Sequence, residues 1–128
     1  MKYLLDTHTL LWAMNDSPRL STSARAVLLS LDHPVHVSAV SIWEAATKFR
    51  LGKLPEAARL VHSTAEVLAA MSFLPLPLGL DHAHLGAILD HPHRDPFDRM
   101  LAAQAILADC ILLSADPVFD SMRVRRLW

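Results

Sequence analysis

Four acidic residues in this chain have the types and placement of ligands for a divalent metal ion: Asp6, Glu44, Asp98 and Asp116. The first directly follows the apolar run at residues 3–5, and the last follows the run at residues 111–115. Carboxylates that meet at one place repel each other, and a divalent cation removes that conflict. Oxygen ligands suit Mg²⁺ or Mn²⁺, which orient a water molecule and stabilise the oxygens of a phosphoryl displacement. The four acids therefore predict a metal site for phosphoryl chemistry.

Each acid also has a purely structural interpretation. Asp6 and Asp116 each precede a predicted helix, where a carboxylate accepts hydrogen bonds from backbone N–H groups. The run Asp95-Pro96-Phe97-Asp98 is a typical helix start, with its first acid as the cap and its last in a capping box. Glu44 stands four residues before Lys48, the spacing of an exposed ion pair. Helix capping does not explain why several acids should share one edge of a sheet.

The elements that must position these acids alternate along the chain. Short apolar runs predict strands at residues 2–5, 34–38, 73–78, 111–113 and 123–127, with prolines 75 and 77 confining the third to a sheet edge. Helical spacing predicts helices at 7–14, 23–31, 41–50, 55–70, 81–89, 96–108 and 117–122. This alternation is typical of an α/β fold, a parallel sheet with helices on both faces. Sites in such sheets form at the carboxyl ends of the strands, which is where Asp6 and Asp116 fall.

The composition predicts one globular domain over residues 1–128. Apolar residues make up 52% of the chain and charged residues 20%, which argues against disorder. The net charge of −1 gives no overall attraction to nucleic acid, so an anionic partner must be bound locally. The single cysteine, Cys110, lies among apolar residues and predicts a buried thiol and a reducing compartment. With no signal peptide and no apolar stretch near the ~20 residues of a membrane span, we expect a cytoplasmic location and no membrane partner.

Four blocks of the sequence resemble the PIN-domain family. The resemblance is closest to the toxin ribonucleases of VapBC-type bacterial toxin–antitoxin pairs. The blocks are YLLDTH at residues 3–8, SIWE at 41–44, RDPFDRMLAAQA at 94–105 and LSADPVFD at 113–120. They span essentially the whole chain in the order and spacing of that family, and the third block is highly specific.

The resemblance implies a three-layer α/β/α fold around a central parallel sheet of about five strands. It implies an endoribonuclease, a hydrolase that cleaves single-stranded or looped RNA with Mg²⁺ or Mn²⁺. The family's catalytic and metal-binding acids fall on Asp6, Glu44, Asp98 and Asp116, and its hydroxyl residue two positions before the last acid falls on Ser114. It also implies a homodimer and a small VapB-like antitoxin that blocks the site.

Several residues near the acids are candidates for supporting roles. Lys48 and Arg99 are close in sequence to the acids and are candidates for contacts with substrate phosphates, which position a nucleic acid without reading its sequence. His8 lies next to the acidic rim, and we expect it to pack or to hydrogen-bond a site residue rather than to touch substrate. The histidine pairs at 82/84 and 91/93 fit no zinc pattern and are expected to lie on the surface.

Two other functions remain open at this point. An aspartyl-phosphate phosphohydrolase also places an aspartate after its first strand, but that chemistry usually needs a second acid where this chain has His8. A non-enzymatic binding module would use the acids only as helix caps. The first predicts a covalent phosphate on Asp6, and the second predicts that neutralising Asp6 or Asp98 changes nothing.

Overall fold

A five-stranded parallel sheet forms the centre of the computed structural model, which describes residues 1–128. The strands are β1 (Lys2–Leu5), β2 (Val35–Ser38), β3 (Leu74–Leu76), β4 (Cys110–Leu113) and β5 (Arg126–Leu127). Their order is β3-β2-β1-β4-β5, so β1 is the central strand and the proline-containing β3 is an edge strand. The edge position of β3 confirms the expectation from the sequence.

Helices connect the strands and cover both faces of the sheet. They are α1 (Thr7–Met14), α2 (Thr22–Leu29), α3 (Ala39–Arg50), α4 (Ala58–His62), α5 (Thr64–Ala70), α6 (Leu80–Ile88) and α7 (Pro96–Leu107), with 3₁₀ turns at Pro55–Ala57 and Pro117–Met122. The architecture is the three-layer α/β/α arrangement that the resemblance implied. No helix is both long and apolar enough to cross a lipid bilayer.

The central strand is buried on both sides because successive side chains of a strand point to opposite faces. Tyr3 and Leu5 pack into one apolar cluster with residues of α1, α4 and α5. Leu4 packs into the other, with residues of α7 and the second 3₁₀ turn. Cys110 belongs to this second cluster, and burial raises the pKa of its thiol, in agreement with the expected buried cysteine. A strand enclosed in this way holds whatever follows it in a fixed position.

Several predicted elements have different bounds in the structure, and two of these differences have a visible cause. The predicted helix at 55–70 breaks at Ser63, whose φ of −139° is not helical. The Thr64 hydroxyl donates to the Leu60 carbonyl at 2.7 Å, and this takes the acceptor that a continuous helix would offer to the Thr64 backbone. The predicted last strand at 123–127 shortens to Arg126–Leu127 because Arg123 adopts a left-handed conformation with φ of 63°.

A buried polar pair joins β2 to α7 beneath the carboxyl edge of the sheet. The Ser38 hydroxyl donates to Gln104 Oε1 at 2.5 Å and accepts from the Val40 N–H group at 2.9 Å, which caps α3. The Gln104 amide donates to the Pro77 carbonyl at 3.2 Å. Both side chains are fully buried, so the pair fixes the start of α3, which carries Glu44.

Replacing Gln104 with Met, which has a similar shape, tests this pair. The buried Ser38 hydroxyl then has no acceptor, and we expect the free energy of unfolding to fall by about 1–3 kcal/mol in urea denaturation. Adding Ser38→Ala removes the orphaned donor, so the double variant should lose less stability than the two single variants predict together. Strictly additive losses would show that the two side chains do not depend on each other.

Candidate active site

The pairing of β1 with β4 places the first and last candidate acids side by side. Leu5 lies opposite Leu113, and the Asp6 N–H group donates to the Leu113 carbonyl at 3.2 Å. Directly after β4, the buried Ser114 hydroxyl donates to Asp6 Oδ2 at 2.5 Å and accepts from the Asp116 N–H group at 3.0 Å. Ser114 therefore bridges Asp6 and Asp116 at the carboxyl edge of the sheet.

Asp6 is both a helix cap and a member of this bridge. Its Oδ1 atom accepts from the Thr9 N–H group at 2.8 Å, as an N-cap of α1 does. The Thr9 hydroxyl donates to the Leu113 carbonyl at 3.0 Å, which ties the first turn of α1 to β4. Because both carboxylate oxygens have a donor, the orientation of the Asp6 side chain is held from two sides.

Glu44 enters the site from α3 and is almost completely buried, at 6% exposure. Its Oε1 atom accepts from the Thr7 hydroxyl at 2.5 Å, and Lys48 Nζ lies 2.6 Å from Oε2. The hydrogen bond with Glu44 raises the pKa of Lys48, with the charges of Asp95 and Asp98 adding to it against the effect of burial. The predicted ion pair exists, but its acid is buried rather than exposed, so Lys48 compensates a charge inside the site.

Asp98 has no capping function in the structure. Asp95 alone caps α7, accepting from the N–H groups of Phe97 at 2.9 Å and Asp98 at 3.3 Å. The Asp98 Oδ2 atom instead accepts from His93 Nε2 at 2.8 Å. Burial raises the pKa of Asp98, and the charges of Asp95 and Glu44 add to this rise, whereas His93 lowers it. An acid that is disfavoured as an anion and caps nothing is typical of a functional position.

The four acids form two linked pairs on one rim rather than one closed cluster. Asp6 and Asp116 share Ser114 and line one cleft, while Glu44 and Asp98 interact electrostatically on the α3 and α7 side. Thr7 connects the pairs, because it follows Asp6 and donates to Glu44. No three acidic, histidine or cysteine side chains lie close enough together to hold an ion among them. The crowding expected from the sequence is therefore relieved by protein partners.

Comparison with protein families places the chain in a known group. A family model for the PIN domain matches residues 3–124. This chain belongs to the PIN-domain family. A comparison with curated protein sequences gives no match.

Solved structures with the same fold include proteins of toxin–antitoxin complexes. VapBC2 from Rickettsia felis, bound to a DNA fragment from its promoter, has a TM-score of 0.69 at 14% identity, with 99% of this chain and 98% of that chain covered. FitAcB from Neisseria gonorrhoeae has a TM-score of 0.66 at 21% identity, with 98% and 96% covered. VapC20 from Mycobacterium tuberculosis, described as a sarcin-ricin loop cleaving toxin, has a TM-score of 0.68 at 14% identity, with 95% of each chain covered. At these identities the likeness establishes the fold.

Two residues of this PIN domain have positions that the sequence interpretation missed. His93 was expected on the surface, but it is half-buried and bonded to Asp98. The spacing from His93 to Asp98 spans a loop and a helix start, and no helical or strand period marks it as a contact. Arg99 donates to the backbone carbonyls of Gly86, Ala87, Leu89, His91 and His93. This placement favours a structural role for Arg99, holding the loop that carries His93, over the expected phosphate contact.

The donor set of the PIN domain fits a hard divalent cation. All four candidate side chains offer oxygen, the ligand that Mg²⁺ and Mn²⁺ prefer. Asp98 Oδ1 and Asp116 Oδ2 accept no hydrogen bond within the protein, whereas their other oxygens are bound by His93 and the Val118 N–H group. Mg²⁺ usually takes one or two carboxylates and completes its shell with water. Linked pairs with unused oxygens are compatible with that requirement.

The raised pKa of Asp98 predicts a pH-dependent penalty to stability. The folded protein binds a proton at this carboxyl more tightly than the unfolded chain, so the ionised form destabilises the fold above the raised pKa. This penalty disappears as the pH falls towards the ordinary value of 3.8. We therefore expect Asp98→Asn to unfold at a higher urea concentration than the wild type at neutral pH, with the difference shrinking near that value.

The exposed acid Asp90 provides the matched control, because it has no side-chain partner in the structure. Asp90→Asn should leave the urea midpoint unchanged at both pH values. A stability gain from Asp98→Asn that is equal at both pH values would contradict the assigned cause.

Proposed function

We propose that this chain is a metal-dependent endoribonuclease, a hydrolase that cleaves phosphodiester bonds of RNA with Mg²⁺ or Mn²⁺. The observation that carries the proposal is the bridge from Asp6 through Ser114 to Asp116, at the carboxyl end of the central strand of a PIN domain. Catalytic groups of parallel α/β proteins lie at this edge. The location of the acids and the family membership thus support the same chemistry.

The residues of the site have two proposed roles: some would bind the metal ion, and others orient or balance the metal-binding carboxylates. The carboxylates that would hold the ion, either directly or through its bound water molecules, are those of Asp6, Glu44, Asp98 and Asp116. A bound Mg²⁺ or Mn²⁺ would lower the pKa of an attacking water and stabilise the charge on the phosphoryl oxygens. Ser114 and His93 orient Asp6 and Asp98 through the hydrogen bonds described above, and Lys48 forms an ion pair with the buried Glu44.

We propose in addition that the nuclease is the toxin of a toxin–antitoxin pair. The similar structures from Rickettsia felis and Mycobacterium tuberculosis support this role, since one is VapBC2 and the other is described as a sarcin-ricin loop cleaving toxin. The proposal includes a small VapB-like antitoxin that covers the acidic site, a homodimer, and action in the cytoplasm. RNA that is single-stranded or looped is the proposed substrate class.

The two alternative functions have less support from the site. A binding module whose acids are only caps does not explain Asp98, which caps nothing, or Glu44, which is buried with its counter-ion. An aspartyl-phosphate phosphohydrolase needs a second acid two residues after the first, and that position holds His8, an exposed ring packed beside Trp12. The nuclease is the function that uses all four acids.

Asp6→Asn tests the proposed chemistry. The amide can still accept from the Thr9 N–H group, so the cap and the fold should persist, but the charge is lost. We expect cleavage of a single-stranded RNA by purified, partner-free protein to fall by at least about 100-fold, more than the loss of an indirect metal contact causes. Chelation with EDTA should abolish wild-type cleavage, and added Mg²⁺ or Mn²⁺ should restore it.

Asp32→Asn is the control for that experiment. Asp32 is exposed and precedes β2, at the opposite edge of the sheet from the site, so its neutralisation should leave the cleavage rate unchanged. Wild-type cleavage that survives EDTA, or that survives Asp6→Asn, would refute the metal-dependent mechanism.

Ser114→Ala tests whether the hydrogen bonds of Ser114 support metal binding. The variant removes the donor to Asp6 and the acceptor for the Asp116 N–H group, so both acids lose their common restraint. We expect affinity for Mn²⁺, measured by titration calorimetry, to fall about 10- to 100-fold, as for other partners of metal ligands. Ser41→Ala is the matched control, since the Ser41 hydroxyl is buried without a partner, and its loss should leave that affinity unchanged. Equal Mn²⁺ affinity in the Ser114→Ala and Ser41→Ala variants would show that Ser114 does not contribute to metal binding.

A further inference from the structure

Asp6 and Asp116 both line a cleft of about 400 Å³. Its remaining walls are formed by His8, Trp12, Arg19, Ala115 and Pro117. The volume is within the range of small-ligand sites, roughly 300–1,000 Å³. The lining of the cleft therefore combines acidic side chains with aromatic and basic ones, and the cleavage chemistry assigns no role to the aromatic and basic ones.

The aromatic side chain of Trp12 in the cleft wall is held in place by neighbouring rings. His8 and Trp12 are four residues apart on α1 and so lie on the same side of the helix, with ring centroids 5.9 Å apart. Trp128 packs against Trp12 with a centroid distance of 5.7 Å but does not itself line the cleft. The Trp12 ring is thus held from outside the cleft while part of it faces the open space.

Arg19 is brought back over Trp12 by a tight turn after α1. The Ser17 N–H group donates to the Trp12 carbonyl at 2.9 Å, the Arg19 N–H group donates to Ser17 Oγ at 3.2 Å, and the buried Leu20 anchors the far end. The guanidinium carbon of Arg19 lies 5.9 Å from the Trp12 ring centroid. This is near the outer limit of about 6 Å for a cation–π contact, so the contact is weak and leaves the guanidinium free to rearrange.

Arg19 has no counter-charge in the structure. Lys48 pairs with Glu44, and Arg126 pairs with Asp120. Arg19 is the only lysine or arginine lining the cleft, and its guanidinium makes no hydrogen bond or ion pair in the structure. An unpaired cation above an aromatic ring, next to carboxylates, is suited to a ligand that carries both a flat ring and a negative charge.

We propose that this cleft binds one unpaired nucleotide of the RNA, adjacent to the phosphodiester bond that is cleaved. Its base stacks on Trp12, and its phosphate pairs with Arg19. The inference rests on the proposed nuclease function and adds to it a reason why the substrate must be single-stranded or looped. A base inside a duplex is already stacked on its neighbours, whereas an unpaired base has a free face for an aromatic side chain.

The test measures binding without cleavage, in protein carrying Asp98→Asn and in the presence of Mg²⁺. The probe is a short fluorescein-labelled single-stranded RNA, followed by anisotropy, with a hairpin-free duplex of the same sequence as the comparison. We expect Trp12→Leu to weaken single-strand binding about 5- to 150-fold, the usual effect of losing one stacking surface, and Trp12→Phe to recover most of it. Trp43→Leu is the control, since Trp43 is exposed on α3 and does not line the cleft.

Arg19→Gln tests the phosphate contact separately and does not depend on how well the Trp12 variants fold, because Arg19 is exposed. Loss of one phosphate contact to a single strand should reduce the slope of log affinity against log salt concentration by about 0.7. Arg59→Gln, an exposed arginine on α4, should leave that slope unchanged. In protein that keeps Asp98, Trp12→Leu and Arg19→Gln should each raise the KM for RNA and change kcat little.

The outcomes separate this inference from the proposed function. If the wild-type protein cleaves RNA and Trp12→Leu and Arg19→Gln leave the RNA affinity unchanged, the inference is overturned. The proposed nuclease function is then still supported. The same unchanged affinity is expected if the cleft instead holds a protein partner. Trp12-dependent binding without any metal-dependent cleavage by the wild type supports the cleft and overturns the nuclease. Absence of single-strand binding in the Asp98→Asn protein overturns the inference, and wild-type cleavage then decides the proposed function by itself.

Discussion

The parallel pairing of β1 with β4 is the constraint on which the rest of the site depends. With Leu5 opposite Leu113, both strands end at the same level, and the next residues leave the sheet as neighbours. Asp6 and Ser114 can then form a hydrogen bond although 108 positions separate them in the chain. Because β1 is packed on both faces, the backbone at Asp6 cannot shift without disturbing two apolar clusters. The packed core thereby fixes the position of Asp6 in the site.

Around this bridge the protein balances charge with buried polar partners. Lys48 offsets the charge of Glu44, and His93 opposes the rise in the pKa of Asp98 that burial and neighbouring acids cause. Isolated buried carboxylates would be costly, whereas paired and hydrogen-bonded ones are tolerated. A remaining penalty at Asp98 is consistent with a general pattern, in which functional sites retain groups that do not favour folding. Stability is therefore supplied by the sheet and not by the acids.

Local signals in the sequence predicted most elements correctly. They failed where a specific side-chain contact had more influence than the spacing of apolar residues. Asp95, Pro96 and the apolar spacing after them predicted the start of α7 correctly, since capping depends on adjacent residues. The apolar pattern at 55–70 suggested one helix, but the Thr64 hydroxyl competes for a backbone carbonyl and ends it at Ser63. Likewise, His93 fits no zinc pattern and was expected on the surface, because no local period marks its contact with Asp98.

The sequence predicted the candidate acids, the strands that Asp6 and Asp116 follow, and the family membership, because each of these depends on residue type and short spacing. Which side chain each acid meets was decided only by the tertiary structure. Thr7 and Glu44 are 37 positions apart, and the cleft joins residues 6–19 to residues 115–117. Such contacts depend on strand register and helix packing, which no local period encodes. The same folding converts Trp12 and Arg19, unremarkable in sequence, into neighbours of the acidic pair.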